Sequence, residues 1–136
     1  MIGLDTNVLL RWLFRGQSVG ELMDGQARAL SALLASSEDG IFINDVVVVE
    51  LAWVLKQRAR LSKTEIADVL ATVLGLEKAV VKDREILLHA LSSFEIFPGD
   101  FADHLIGEIN RRHGCTTTMT FDRAAARTPN FTELRS

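Results

Sequence analysis

Cysteine is nearly missing from this chain of 136 residues: Cys115 is the only one. A single thiol excludes an internal disulfide and any cysteine-based zinc cage. Proline is scarce as well, with 2 beside 9 glycines, and the composition is 48% hydrophobic and 24% charged. That balance excludes low complexity and disorder. No apolar run approaches the ~20 residues that a membrane span needs. A signal peptide is not expected either, because Asp5 and Arg11 interrupt the first apolar stretch and no small-residue cleavage site follows. Basic charge is in deficit: 15 Lys and Arg face 18 Asp and Glu, a net charge of −3. Binding of nucleic acid by bulk charge is therefore not expected. The expectation is one domain over residues 1–136, compact and cytoplasmic, with a core large enough to need no staples.

What is present alternates short apolar runs with longer helical periods. Met1–Leu4 predicts a strand that stops at the Asp5-Thr6-Asn7 cluster, and Val8–Phe14 a helix ending near Gly16. Glu21–Ser37 carries Leu22, Met23, Ala29, Leu30, Leu33 and Leu34 at helical spacing. Ile41–Ile43 predicts a second strand, with Asn44 or Asp45 capping a helix to about Arg58. Ser62-Lys63-Thr64-Glu65 has the form of a capping box, opening a helix that stops at Gly75. Lys78–Val81 predicts a third strand, and Asp83 caps a helix through Phe94. The turn Pro98-Gly99-Asp100 then delivers a helix from Phe101 to His113, whose apolar face is Phe101, Leu105, Ile106 and Ile109. Thr116–Phe121 predicts a fourth strand, and Phe131–Leu134 an edge strand after Pro129. Strands alternating with helices imply a mainly parallel sheet of four to five strands, covered by helices on both faces.

Four acids fall at informative places. Asp5 and Asp122 directly follow strands, Asp103 lies in the first turn of a helix, and Glu50 sits within an apolar helix. Functional groups of open parallel sheets gather beyond the carboxyl ends of the strands. Asp5 and Asp122 can equally be helix caps, and Asp103 a partner of the helix dipole. Glu50 has Val46, Val47, Trp53 and Val54 as its one-turn neighbours, so a carboxylate there calls for a polar partner or a cation. Carboxylates without His or Cys select a hard cation, Mg²⁺ or Mn²⁺. His89, His104 and His113 are not paired at one-turn spacing and read as surface or helix-end residues. Cys115 reads as core, as do Trp12 and Trp53, for which an interface is the alternative. The apolar positions Leu70, Val73, Leu74, Leu87, Leu88 and Leu91 offer a possible association surface.

With these pieces in order, the sequence resembles the PIN-domain ribonucleases, specifically the VapC-type toxins of toxin–antitoxin pairs. The resemblance rests on Leu4-Asp5-Thr6-Asn7-Val8-Leu9-Leu10, Glu50-Leu51, Asp100-Phe101-Ala102-Asp103-His104-Leu105-Ile106 and Thr120-Phe121-Asp122-Arg123, which span nearly the whole chain. It implies a PIN-like three-layer α/β/α sandwich and a Mg²⁺- or Mn²⁺-dependent endoribonuclease. It also implies a cognate antitoxin and often a homodimer. Carried over, the acidic quartet is Asp5, Glu50, Asp103 and Asp122, with Thr120 matching the hydroxyl before the last acid. Asn7 matches the residue that orients the first acid, and Asp100 can assist or replace Asp103.

In such a site, metal-activated water attacks the phosphodiester and leaves 5′-phosphate and 3′-hydroxyl ends. With the four acids neutralised by metal, the rest of the chain is slightly basic. Arg11, Arg15, Arg111, Arg112, Arg123 and Arg127 flank the motifs and can track an RNA backbone, or simply be solvated helix faces. A haloacid-dehalogenase-like phosphatase would need a second acid where Asn7 stands. A response receiver would need an acidic pair after the first strand and a lysine after the last. A non-catalytic or weakly catalytic RNA-binding regulator on the same fold is the remaining alternative.

Overall fold

A computed structural model describes residues 1–15 and 21–135. Five short strands, all in parallel pairings, form two hydrogen-bonded ladders. The first joins β1 (Ile2–Gly3), β2 (Ile41–Phe42) and β3 (Ala79–Val80) in that order, with Ile2 opposite Ile41 and Ile41 opposite Ala79. The second pairs β4 (Thr118–Thr120) with β5 (Phe131–Glu133), Thr118 opposite Phe131. The expected strands are thus all present, but as three plus two rather than one continuous sheet. In β4, Thr118 and Thr120 are half-buried and Met119 is exposed. A strand so polar brings no apolar face to insert between helical layers, which accounts for its separate ladder.

Six α-helices fill the rest of the described chain: α1 (Thr6–Leu13), α2 (Glu21–Ser36), α3 (Asp45–Gln57), α4 (Lys63–Leu74), α5 (Arg84–Ile96) and α6 (Phe101–Arg112). Their starts follow the capping chemistry in the sequence. Asp5, Asn44, Ser62 and Asp83 each accept a backbone N–H of the first turn, and Ser62 with Glu65 forms the reciprocal box. The stops are less uniform. The expected end near Gly16 falls outside the described residues, as do the side chains of Leu22 and Met23, whereas Gly114 takes the left-handed conformation, φ +91°, just beyond α6.

The core is one cluster centred on α3, α4 and α5, with Val48, Leu51, Leu55, Leu70, Val73 and Leu87 fully buried. This corrects the association surface expected from the sequence. Leu70, Val73, Leu74, Leu87 and Leu91 are core, and of that set only Leu88 is exposed. Ile106, expected on the buried face of α6, is 50% exposed. That face is instead Phe101, His104, Leu105 and Glu108, at helical spacing, so two polar residues occupy it.

Gly107 decides where the second ladder sits. A Cβ there would stand 2.6 Å from the Phe131 ring, closer than any packed carbon contact, so β5 can lie against α6 only over a glycine. Asn110 Nδ2 donates to Thr118 Oγ1 at 3.0 Å and ties β4 to the same helix. Through these contacts the segment after β4 is carried to the start of α6.

Candidate active site

Three carboxylates line one cleft of about 410 Å³: Asp100 and Asp103 at the start of α6, and Asp122 after β4. Lys56 of α3 and Lys63 of α4 share it. Each acid is held by donors of its own surroundings. Asp103 Oδ2 accepts the Asp100 N–H at 2.9 Å. Asp122 Oδ1 accepts the Ala124 N–H at 2.8 Å, and the Asp122 N–H donates to Thr120 Oγ1 at 3.0 Å. Lys56 Nζ donates to Asp100 Oδ1 at 2.6 Å. Thr120 therefore orients Asp122 through the backbone.

The turn that delivers Asp100 and Asp103 is clamped from two sides. Lys63 Nζ donates to the carbonyls of Phe94, Phe97 and Gly99 at 2.8, 2.7 and 3.2 Å and stands 4.5 Å from the centre of the Phe94 ring. His104 Nε2 donates to the Pro98 carbonyl at 3.0 Å. Gly99, at φ +107°, takes a conformation that other residues resist, with Asp103 Oδ2 3.3 Å from where its Cβ would be. Burial lowers the pKa of Lys63 below its ordinary value, against the pull of Asp100. Burial lowers His104 too, against its bond to Pro98.

His104 is 3% exposed, which corrects its reading as a surface residue. Neither clamp was visible in the sequence. Lys63 lies inside a capping box and its acceptors are 31 to 36 residues away, so no local pattern points to it.

Asp5, Asn7 and Glu50, the other expected site residues, are not among those that line this cleft. Asp5 follows β1 and caps α1, with Oδ1 accepting the Val8 N–H at 2.9 Å. Asn7 is exposed in the first turn of α1. Glu50 is exposed on α3, so burial does not force a partner on it. Its neighbours Val46 and Trp53 are exposed as well, at 62% and 55%, which shows that this face of α3 points outward. Trp53 is thus not core. Cys115 is also exposed, preceding β4 rather than opening it.

Among the described residues, no three of His, Cys, Asp and Glu are gathered closely enough to hold a metal ion. The donors of the cleft are nevertheless carboxylate oxygens, which fit a hard divalent cation in kind and not zinc.

Two of the flanking arginines are taken up by a buried acid. Glu108, 4% exposed, takes Arg111 Nη2 at 2.7 Å and Arg112 Nε at 3.0 Å, and Arg112 reaches on to Glu85 at 3.0 Å. Burial pushes the Glu108 carboxyl up, but the bonds from Arg111 and Arg112 together bring it below its ordinary value. These two arginines are structural and are withdrawn from the phosphate-contact set. Arg15 lies 4.3 Å over the Trp12 ring.

Three carboxylates thus line one cleft of a parallel α/β fold. The PIN-domain family model matches residues 2–130, and the chain belongs to the PIN-domain family, a nuclease fold that acts on RNA or DNA and generally uses divalent metals such as Mg²⁺. No curated protein matches it. Among the described residues no helix is long and apolar enough to cross a membrane.

Proposed function

We propose that this chain is a Mg²⁺- or Mn²⁺-dependent endoribonuclease, the cytoplasmic toxin of a toxin–antitoxin pair, working as one domain and as a homodimer. Asp5, Glu50, Asp103 and Asp122 are the metal ligands, and Thr120 and Asn7 position the last and first of them. The observation that carries the reading is the meeting of Asp103 and Asp122, 19 residues apart in sequence, on one cleft with Asp100. When bound there, a divalent cation supplies activation of water and neutralises charge at the phosphate. The chain supplies the rest. Thr120 and the clamped turn fix the carboxylates in place, and Lys56 provides a positive charge at the rim for an incoming phosphate.

The RNA-binding regulator remains a second reading, favoured by one observation: Asp5 and Glu50 do not line the Asp103 cleft. The purified chain, freed of any bound partner, decides. It is expected to cut single-stranded RNA with Mg²⁺ or Mn²⁺ and to stop in EDTA, leaving 5′-phosphate ends. Cutting that survives EDTA removes the metal mechanism, and RNA binding without cutting selects the regulator.

A further inference from the structure

A second cleft of about 660 Å³ is lined by Phe121, Arg123, Glu133, Leu134 and Arg135, so the residues on either side of Asp122 in the chain belong to it. Phe121 is 71% exposed, an unusual place for a phenyl ring on a chain with few aromatics, and it directly precedes the site acid Asp122. Leu134, 44% exposed, lines the same cleft. The side chains of Arg123 and Arg135 are 92% and 85% exposed, and each meets Glu133 only at 3.6 Å. Such long, open pairs hold little energy and leave both guanidinium groups ready for another anion.

We infer that this cleft is a nucleotide subsite: Phe121 stacks one base of a single-stranded RNA beside the scissile phosphate, and Arg123 and Arg135 hold the adjoining phosphates. An exposed aromatic ring set among arginines suits single-stranded nucleic acid, because every base has a face to stack and every linkage a charge to neutralise. The guanidinium groups of Arg123 and Arg135 both approach the one carboxylate of Glu133, in the cleft that Phe121 lines, which brings two positive charges to where a stacked base would carry its phosphates. Phe121 and Arg123 flank the site acid Asp122 in the chain, so the two clefts share one segment.

The inference rests on the nuclease reading, and its test separates the two. Binding of a labelled single-stranded RNA octamer is read by fluorescence anisotropy in EDTA, so that no cleavage intervenes. Phe121→Ala is expected to weaken binding about ten-fold, and Phe121→Trp to restore it. An octamer abasic at the stacked position should bind wild type and Phe121→Ala equally. Arg123→Gln and Arg135→Gln should each flatten the salt dependence by about 0.7 in log–log slope. Unchanged RNA binding in Phe121→Ala overturns the subsite, as does a loss of self-association in that variant with RNA affinity intact. Cleavage with Mg²⁺ is scored separately. If it is absent while base-dependent binding persists, the nuclease reading fails and the subsite stands.

Discussion

The two ends of α6 carry carboxylates in opposite circumstances. At its start, Asp100 and Asp103 face a cleft, hold one lysine and one backbone amide, and share the space with Asp122. Two turns on, Glu108 is buried and taken up by two arginines. A carboxylate that accepts from two guanidinium groups of its own helix has little left for a cation, and it is Arg112, reaching on to Glu85, that ties α6 to α5. A carboxylate that accepts a single hydrogen bond and opens to a cleft keeps coordinating capacity. Charge count alone does not distinguish a chemical acid from a structural one. The partner does.

The largest effect that separates the two ends is expected in catalysis. Asp103→Asn should reduce Mg²⁺-dependent RNA cleavage on the order of a thousandfold, the scale of several kcal/mol of lost metal-assisted stabilisation. Folding stability should change by only about 0.5 kcal/mol, since an amide oxygen can still accept the Asp100 N–H. Mg²⁺ should raise the melting temperature of wild type and leave the variant nearly unmoved. A variant that cleaves normally would make Asp103 a helix-start residue and nothing more.

Glu108→Gln should do the reverse. It should cost about 2 kcal/mol in denaturant unfolding, because two guanidinium groups lose their ionic partner. Cleavage per folded molecule should persist. The same pair predicts a pH signature. The folded Glu108 carboxyl titrates lower than the unfolded one, near ~4.3. Its contribution is therefore complete above the unfolded value and is lost as pH falls through the folded value. Stability of wild type between pH 6 and pH 3, read by chemical denaturation, should fall more steeply than that of Glu108→Gln. Parallel curves would mean that the clasp carries no net charge coupling.

The smallest effect tests the clamp on the cleft side. Lys63→Met should cost about 1 kcal/mol, since three carbonyls lose a charged donor yet remain near solvent. It should also weaken the Mg²⁺-induced rise in melting temperature, while Lys63→Arg keeps most of it. Equal loss in both variants would limit Lys63 to packing.

Much of this architecture follows from local chemistry. Capping residues at Asp5, Asn44, Ser62 and Asp83 begin helices where the sequence offers an acceptor before an apolar period. The β-branched and apolar runs give all five strands, because pleated pairing asks only for a short stretch of the right residue types. Asp100, Asp103 and Asp122 were likewise identifiable from where they stand relative to those elements, and the order of the motifs carried the family.

Burial is what local pattern could not settle. Glu50 and Trp53 lie in a run of apolar residues and still face outward, whereas His104 and Glu108 lie in a polar helix and face inward. Which side of a helix is covered depends on the elements packed against it, and for α6 those are α5, α3 and the second ladder, set over Gly107 by the Phe131 ring. The sequence by itself determined the elements, their caps and the acids at their ends, since each depends on a few adjacent residues. Only the tertiary structure decided which acid is clasped and which left open, and that Lys63 clamps the cleft turn. The Lys63 contacts join residues 31 to 36 positions apart and exist only once the chain has closed that distance, whereas the Glu108 clasp is one turn long and is decided by the packing that buries it.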